Sequence, residues 1–281
     1  MKLGVHAYAW YSLWQTDPLA VVDRAHQVGA ELIEIPLVDT GRIDAEALKA
    51  RCQERGLAVC ASTLLTAETD ITSPDSEVRR RGVEYLKECV RLAHQLGAPF
   101  LSGVTYGEFA RPGASPPTER DWEYSAQGLR EVARYAAEYG LDIAIEPVNR
   151  YESHLVNTCE QALYLREFTG EPNVKVHLDT YHMNIEENDL YDAILKAGEH
   201  LVHLHLSESH RGIPGTGQVH WDDVFRALAK LDYQGYAALE SFADPAFWSA
   251  TWTWRPLAPD SETLIRQGMQ FIKQGLAQAR M

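Results

Sequence analysis

Four largely apolar runs in the second half of the chain each end on a residue able to bind a metal ion. Glu146 closes LDIAIE, Asp179 closes VKVHLD, His205 closes LVHLH, and Glu240 closes YAALE. Any one of them would pass as a strand-terminal polar residue facing solvent. Four in succession are better explained by strands whose ends converge on one point, where inward side chains could surround a single ion at about 2.0 to 2.4 Å. Three carboxylates and one imidazole form a hard, mostly oxygen donor set. That set suits Mn²⁺, with Mg²⁺ or Co²⁺ as alternatives, better than a structural Zn²⁺. A divalent ion would also let several carboxylates stay ionised side by side, since without it at least one would tend to take up a proton.

Further polar residues follow these positions at short offsets: Asn149 and Glu152 after Glu146, His182 after Asp179, Glu208 and Arg211 after His205. Loop residues of these types are commonly solvated, so each is a candidate only through its neighbours. His203 lies two residues before His205 and so faces the same side one layer deeper, which reads as a core or supporting histidine rather than a ligand. His6 and Glu34, on the first two strand patterns, either enter the site or pack. The run PGTG after Arg211 lacks the lysine and spacing of a phosphate loop. Phe242, Phe247, Trp248, Trp252 and Trp254 crowd one late connection, which must cover the site or meet another subunit.

The elements that would position these residues alternate along the whole chain. Eight apolar runs (Leu3–Ala9, Leu32–Leu37, Ala58–Thr63, Phe100–Val104, Asp142–Glu146, Val174–Asp179, Leu201–Leu206, Ala237–Glu240) are separated by stretches with helical spacing. Gly29, Gly56, Gly97 and Gly140 stand where helices should end before a new strand begins. Nearly continuous apolar strands call for a parallel sheet covered by helices, and eight strand–helix units close such a sheet into an α/β (β/α)8 TIM barrel. An open doubly wound sheet is the other arrangement, but the first strand-to-helix turn, HAYAWYSLWQTDP, lacks G-x-G-x-x-G. The long connections after strands 4, 7 and 8 would then lie at the C-terminal mouth. One barrel domain over residues 1–281 is expected.

Composition narrows the function. Lys plus Arg number 26 against 40 Asp plus Glu, a formal charge of −14 that disfavours nucleic-acid and anionic-membrane partners. Cys52, Cys60, Cys89 and Cys159 are scattered, without the spacing of a zinc knuckle or a disulfide framework. No long apolar run or leader pattern is visible. A cytoplasmic enzyme acting on a small molecule fits these features.

The segments IEPVNRYESHLVNT, VKVHLDTYHMNIEE, HLHLSESHRGIPGTG and ALESF closely resemble the ketose 3-epimerases, the group that includes D-tagatose, D-allulose (psicose) and L-ribulose 3-epimerases among the xylose-isomerase-like barrels. The first half of the chain agrees more loosely, in element order and in its GV..YAW opening. The resemblance implies that Glu146, Asp179, His205 and Glu240 bind the metal, and that Glu152, His182 and Arg211 bind the sugar near O1 and O2. It also implies a reaction: C3 of an open-chain ketose is inverted through a cis-enediolate, with Glu146 and Glu240 on opposite faces. His6 stands where relatives carry an aromatic residue. That position and the SGVTYGEFARPGASPP segment fall in the region expected to hold C4 to C6. Members of this group are commonly homodimers or homotetramers. An aldose–ketose or hydroxypyruvate-type isomerase would use the same metal site. An endonuclease IV-type phosphodiesterase would need several zinc ions and a basic face, and a metal-free binding protein would not need the full ligand set.

Overall fold

Strands that are apolar at nearly every position need both faces covered, and the chain meets this need by closing its sheet on itself. The structure, a computed structural model, describes residues 1–110 and 115–280. Its strands are β1 (Lys2–His6), β2 (Leu32–Pro36), β3 (Ala58–Leu65), β4 (Phe100–Glu108), β5 (Asp142–Ile145), β6 (Val174–Asp179), β7 (Leu201–His205) and β8 (Tyr236–Leu239). Each pairs in parallel with the next, and β8 pairs with β1, so the sheet is a closed (β/α)8 barrel.

The helices that cover it are α1 (Tyr11–Thr16), α2 (Pro18–Gln27), α3 (Ala45–Arg55), α4 (Ser76–Leu96), α5 (Glu119–Glu138), α6 (Cys159–Thr169), α7 (Thr180–Glu186), α8 (Leu190–Ala197), α9 (Trp221–Lys230) and α10 (Ser261–Ala279). Their starts are written locally: Asp17, Asp44, Asp75 and Asp260 each accept a backbone N–H from the first turn of the helix that follows. Gly97, at φ +81°, ends α4 in the left-handed conformation that favours glycine and turns the chain into β4. Among the described residues no helix is long and apolar enough to cross a membrane.

Side chains two apart on a strand share a face, so the barrel interior is built in layers. Leu32, Cys60, Phe100 and Ala238 form a small apolar cluster from four strands. Glu34, His177 and His203 stand one layer nearer the strand ends, all fully buried. Above them come His6, Glu146, Asp179, His205 and Glu240.

All eight expected strands form, and two of them depart most from their expected bounds. β1 stops at His6, because the ring Nδ1 of His6 accepts the N–H of Tyr8 at 3.2 Å and caps a 3-10 turn over Ala7–Trp10. β4 continues to Glu108 past an irregularity opposite Leu64 and Leu65, and buries Tyr106, whose hydroxyl donates to the Val156 carbonyl at 3.0 Å. Residues 111–114, part of the segment expected near C4 to C6, lie outside the described residues, as does Met281.

Candidate active site

The strand ends converge as the apolar runs require. Asp179 and His205 are the last residues of β6 and β7, while Glu146 and Glu240 come directly after β5 and β8. Their donor atoms surround His205. Its Nδ1 lies 3.6 Å from Glu146 Oε1, 3.8 Å from Asp179 Oδ2 and 3.5 Å from Glu240 Oε2, each too long for a hydrogen bond. This nitrogen is buried and has no hydrogen-bond partner.

An orphaned imidazole nitrogen facing three carboxylate oxygens is the arrangement a cation would satisfy. Ligands around one ion at about 2.2 Å stand roughly 3 to 4.4 Å apart, and the donor atoms of Glu146, Asp179 and His205 all lie within 4.8 Å of one another. Electrostatics point the same way. Burial alone would push the His205 pKa down, but Glu34, Glu240 and the other carboxylates hold it well above the ordinary histidine value. The field that draws a second proton to this ring would equally hold a metal ion. The donor set therefore fits a divalent cation.

Asp179 does two jobs with its two oxygens. Oδ1 accepts the Tyr181 N–H at 2.8 Å and so caps α7, while Oδ2 accepts from Arg211 Nη1 at 2.7 Å. The same guanidinium nitrogen donates to Glu240 Oε2 at 2.8 Å and Ser207 Oγ at 2.9 Å. Burial would raise both carboxyls, but Arg211 and His205 outweigh it and hold Asp179 and Glu240 well below the carboxylate range. Glu146 has no such arginine, and burial pushes its carboxyl up.

Arg211 itself sits at φ +60°, a left-handed backbone that costs a non-glycine residue energy. Two hydrogen bonds hold it there: its N–H donates to the Glu208 carbonyl at 2.8 Å, and the Ser241 hydroxyl donates to its carbonyl. Its guanidinium lies 4.0 Å from the centre of the Tyr181 ring.

His182, on the first turn of α7, completes the polar wall. Its Nδ1 accepts from Asn149, from the backbone N–H at 3.1 Å and from the side-chain amide at 2.9 Å, which leaves the ring proton on Nε2. That atom lies 3.3 Å from Arg211 Nη2 and 3.9 Å from Glu152 Oε2. Two donors thus meet with no acceptor between them. Asn149 also donates to Glu152 Oε1 at 2.9 Å, tying the loop after β5 to α7.

These groups share one cavity of about 350 Å³. His6, Glu146, Glu152, His182, His205, Arg211 and Glu240 are on its wall; Asp179 is fully buried and reaches it through Arg211 and His205. The rest of the wall is mostly apolar, with Val38, Leu64, Val104 and Phe109, and His6, whose Nε2 is 3.4 Å from Ser62 Oγ, has its ring centre 6.0 Å from that of His205. The aromatic loop after β8 covers the mouth. Phe242, Phe247 and Trp252 line the cavity, Phe247 stacks on Tyr11 with centroids 4.1 Å apart, and Asp244 accepts from the Ser12 N–H and hydroxyl at 2.7 and 2.9 Å.

Not every sequence candidate belongs here. Glu208 turns its carboxylate into its own loop, accepting from the N–H groups of Ser209, Gly215 and Val219 and from Trp221 Nε1. It braces the Arg211 loop. His203 is no part of the cavity wall; its Nε2 donates to Glu34 at 2.7 Å. His177 was not picked out from the sequence, yet it is fully buried 3.6 Å from Glu146 Oε2, and its two-residue offset from Asp179 repeats that of His203 from His205.

Comparison with known proteins fits this geometry. The family model for the xylose isomerase-like TIM barrel matches residues 22–275. An L-ribulose 3-epimerase of Methylomonas sp. (strain DH-1) is 37% identical over 280 residues, covering 98% of this chain and 97% of its own. A ketose 3-epimerase of Arthrobacter globiformis is 36% identical over 281 residues, with 98% and 97% covered. The crystal structure of a D-allulose 3-epimerase from Methylomonas sp. in complex with D-allulose superposes with a TM-score of 0.92 at 36% identity, covering 98% of this chain and 96% of that one.

Proposed function

The chain belongs to the ketose 3-epimerases of the xylose isomerase-like TIM barrels, and we propose that it inverts C3 of a free ketohexose or ketopentose with a divalent metal, Mn²⁺ before Mg²⁺ or Co²⁺, and two glutamates. The observation that carries this reading is the orphaned His205 Nδ1 facing Glu146, Asp179 and Glu240. These four residues would hold the ion, which would polarise the C2 carbonyl and so make the C3 proton acidic.

The protein's own groups do the rest. Glu146 and Glu240 directly follow strands β5 and β8, with β6 and β7 between them around the barrel. On this reading they meet C3 from opposite faces: one removes its proton as a base, and the other, protonated, returns a proton to the other side of the enediolate. A single base would tend to return the proton to the face it came from. The convergent donors Arg211 Nη2 and His182 Nε2 would take a sugar oxygen where negative charge develops, near O1 and O2, with Glu152 accepting a hydroxyl. His6 and the apolar part of the wall would receive C4 to C6. The proposal extends to residues 1–281 as one domain, acting in the cytoplasm as a homodimer or homotetramer.

The test is product analysis by chromatography and NMR on fructose, allulose, tagatose, sorbose, ribulose and xylulose in D₂O, with Mn²⁺ and then with EDTA. Metal-dependent inversion at C3, with deuterium entering C3, is the expected result. Migration of the carbonyl to C1 would replace the reading with an aldose–ketose isomerase.

A further inference from the structure

Beneath the site lies a buried carboxylate that the reaction does not use. Glu34, on β2, has no solvent exposure, and an ionised carboxylate in such a place must be paired to be tolerated. One of its oxygens, Oε2, faces two imidazoles at once: His203 Nε2 and His205 Nε2, each at 2.7 Å. The other oxygen has no partner.

We propose that Glu34 is a positioning residue for the metal site, fixing the His205 ring so that Nε2–H points down to Glu34 and the Nδ1 lone pair points up to the three carboxylates. The inference rests on the metal-dependent reading above. Three carboxylates at 3.5 to 3.8 Å compete for a proton on Nδ1, and a ring protonated there cannot bind a cation. The carboxylate at 2.7 Å on the opposite edge outbids them by distance, so in the neutral ring the proton belongs on Nε2.

The surroundings hold that orientation. His177 packs against His205 edge to face, with centroids 4.2 Å apart, and lies 4.4 Å from the His203 ring. Phe100 closes on His203 from the layer below at 5.3 Å. With a carboxylate behind it, the imidazole also becomes a more basic ligand. The donor atoms of His177, His203 and His205 lie close enough for a second ion. However, the Nε2 atoms of two of these rings are already committed to Glu34, which favours orientation over a second site.

The experiment compares wild type with Glu34→Gln, which keeps the side-chain volume but loses the charge. Calorimetric titration of the metal-free proteins with Mn²⁺ is expected to show one ion per chain in both, with the dissociation constant of the variant raised roughly 10- to 100-fold and its circular dichroism unchanged. Nitrogen-15 spectra of histidine-labelled wild type loaded with Zn²⁺, a diamagnetic probe, should show His205 bound through Nδ1 with a proton on Nε2. A folded Glu34→Gln protein that binds Mn²⁺ as tightly as wild type overturns the proposal. Wild type bound through Nε2 overturns it even if the variant does not fold. Two ions per chain, both weakened by the substitution, would replace it with a second metal site. Wild type that binds no Mn²⁺ would remove the metal reading itself, and the role of Glu34 with it.

Discussion

The two halves of the barrel end differently at the mouth. β5 to β8 each deliver a charged or metal-binding group (Glu146, Asp179, His205, Glu240), and the loops and helix that follow add Glu152, His182 and Arg211. β1 to β4 deliver His6, Pro36, Ser62, Thr63, Gly103 and Val104 to the same cavity, with no carboxylate among them. Gly103 is bare because a Cβ there would run into the Thr63 backbone, so this wall is made partly of main chain. On the proposed mechanism the difference separates tasks: the second half would hold charge and move protons, the first would give shape. Glu34 is the exception, a first-half charge that never reaches the cavity and acts through the second half's His205.

The sharpest way to break this division is to neutralise one acid of the second half. Glu146→Gln or Glu240→Gln keeps side-chain volume and should lower kcat for epimerisation by about 10² to 10⁴, the range associated with losing a positioned acid or base. Far-UV circular dichroism should be unchanged. If the two glutamates face opposite sides of C3, each single variant still has one competent group. It should then exchange the C3 proton of one epimer with D₂O faster than it forms the other epimer. Near wild-type turnover in either variant would end the two-base assignment.

How much of this was readable beforehand follows from the range of the interactions involved. The convergence of Glu146, Asp179, His205 and Glu240 was legible because each follows an apolar run, and the run, the helix start and the barrel closure all depend on local period. Asp179 shows why: as cap of α7 and partner of Arg211 it had to be a short carboxylate at a strand–helix junction. What stayed hidden was decided by distant or competing partners. Glu34 meets its histidines 169 and 171 residues away, so its position on β2 left packing and participation equally open. Glu208 had the right offset for the mouth, but backbone N–H groups of its own loop claimed its carboxylate. The end of β1 was misplaced because one hydrogen bond from Tyr8 to His6 outweighs the continued apolar pattern. His177 alone carried a usable signal that went unread, since H-x-D on β6 matches H-x-H on β7.

A second prediction concerns the cost of gathering so much charge in one half. Against burial, Arg211 and His205 hold Asp179 and Glu240 below their ordinary pKa values in the metal-free protein. Carboxylates depressed in the folded state contribute stability that is present above their unfolded values, about 3.9 and 4.3. That contribution is lost as the pH falls through the folded values, so the window lies below about pH 4. Arg211→Met should therefore destabilise the metal-free protein by about 3 to 5 kcal/mol at pH 7, as expected for breaking a buried ion pair. The gap should narrow on acidification. Urea unfolding of both proteins at pH 7 and pH 3 measures it, and a gap independent of pH would show that Arg211 acts through packing.

The smallest effect should come from the first half, and its kind matters more than its size. His6 Nδ1 is occupied by the Tyr8 N–H, so in the neutral ring Nε2 is the donor, on the cavity wall near Ser62. Burial lowers the His6 pKa, which favours that neutral form. His6→Phe would keep an aromatic ring and remove the donor. If this wall only recognises the sugar's distal carbons, kcat/KM should shift unequally among ketoses, changing the ratio between a ketohexose and a ketopentose by roughly 10-fold, about 1.4 kcal/mol. Mn²⁺ affinity should not move, because His6 stands outside the proposed ligand set. A uniform loss across all sugars together with weaker metal binding would place His6 with the proton-moving half, and the division between shape and chemistry would have to be redrawn at β1.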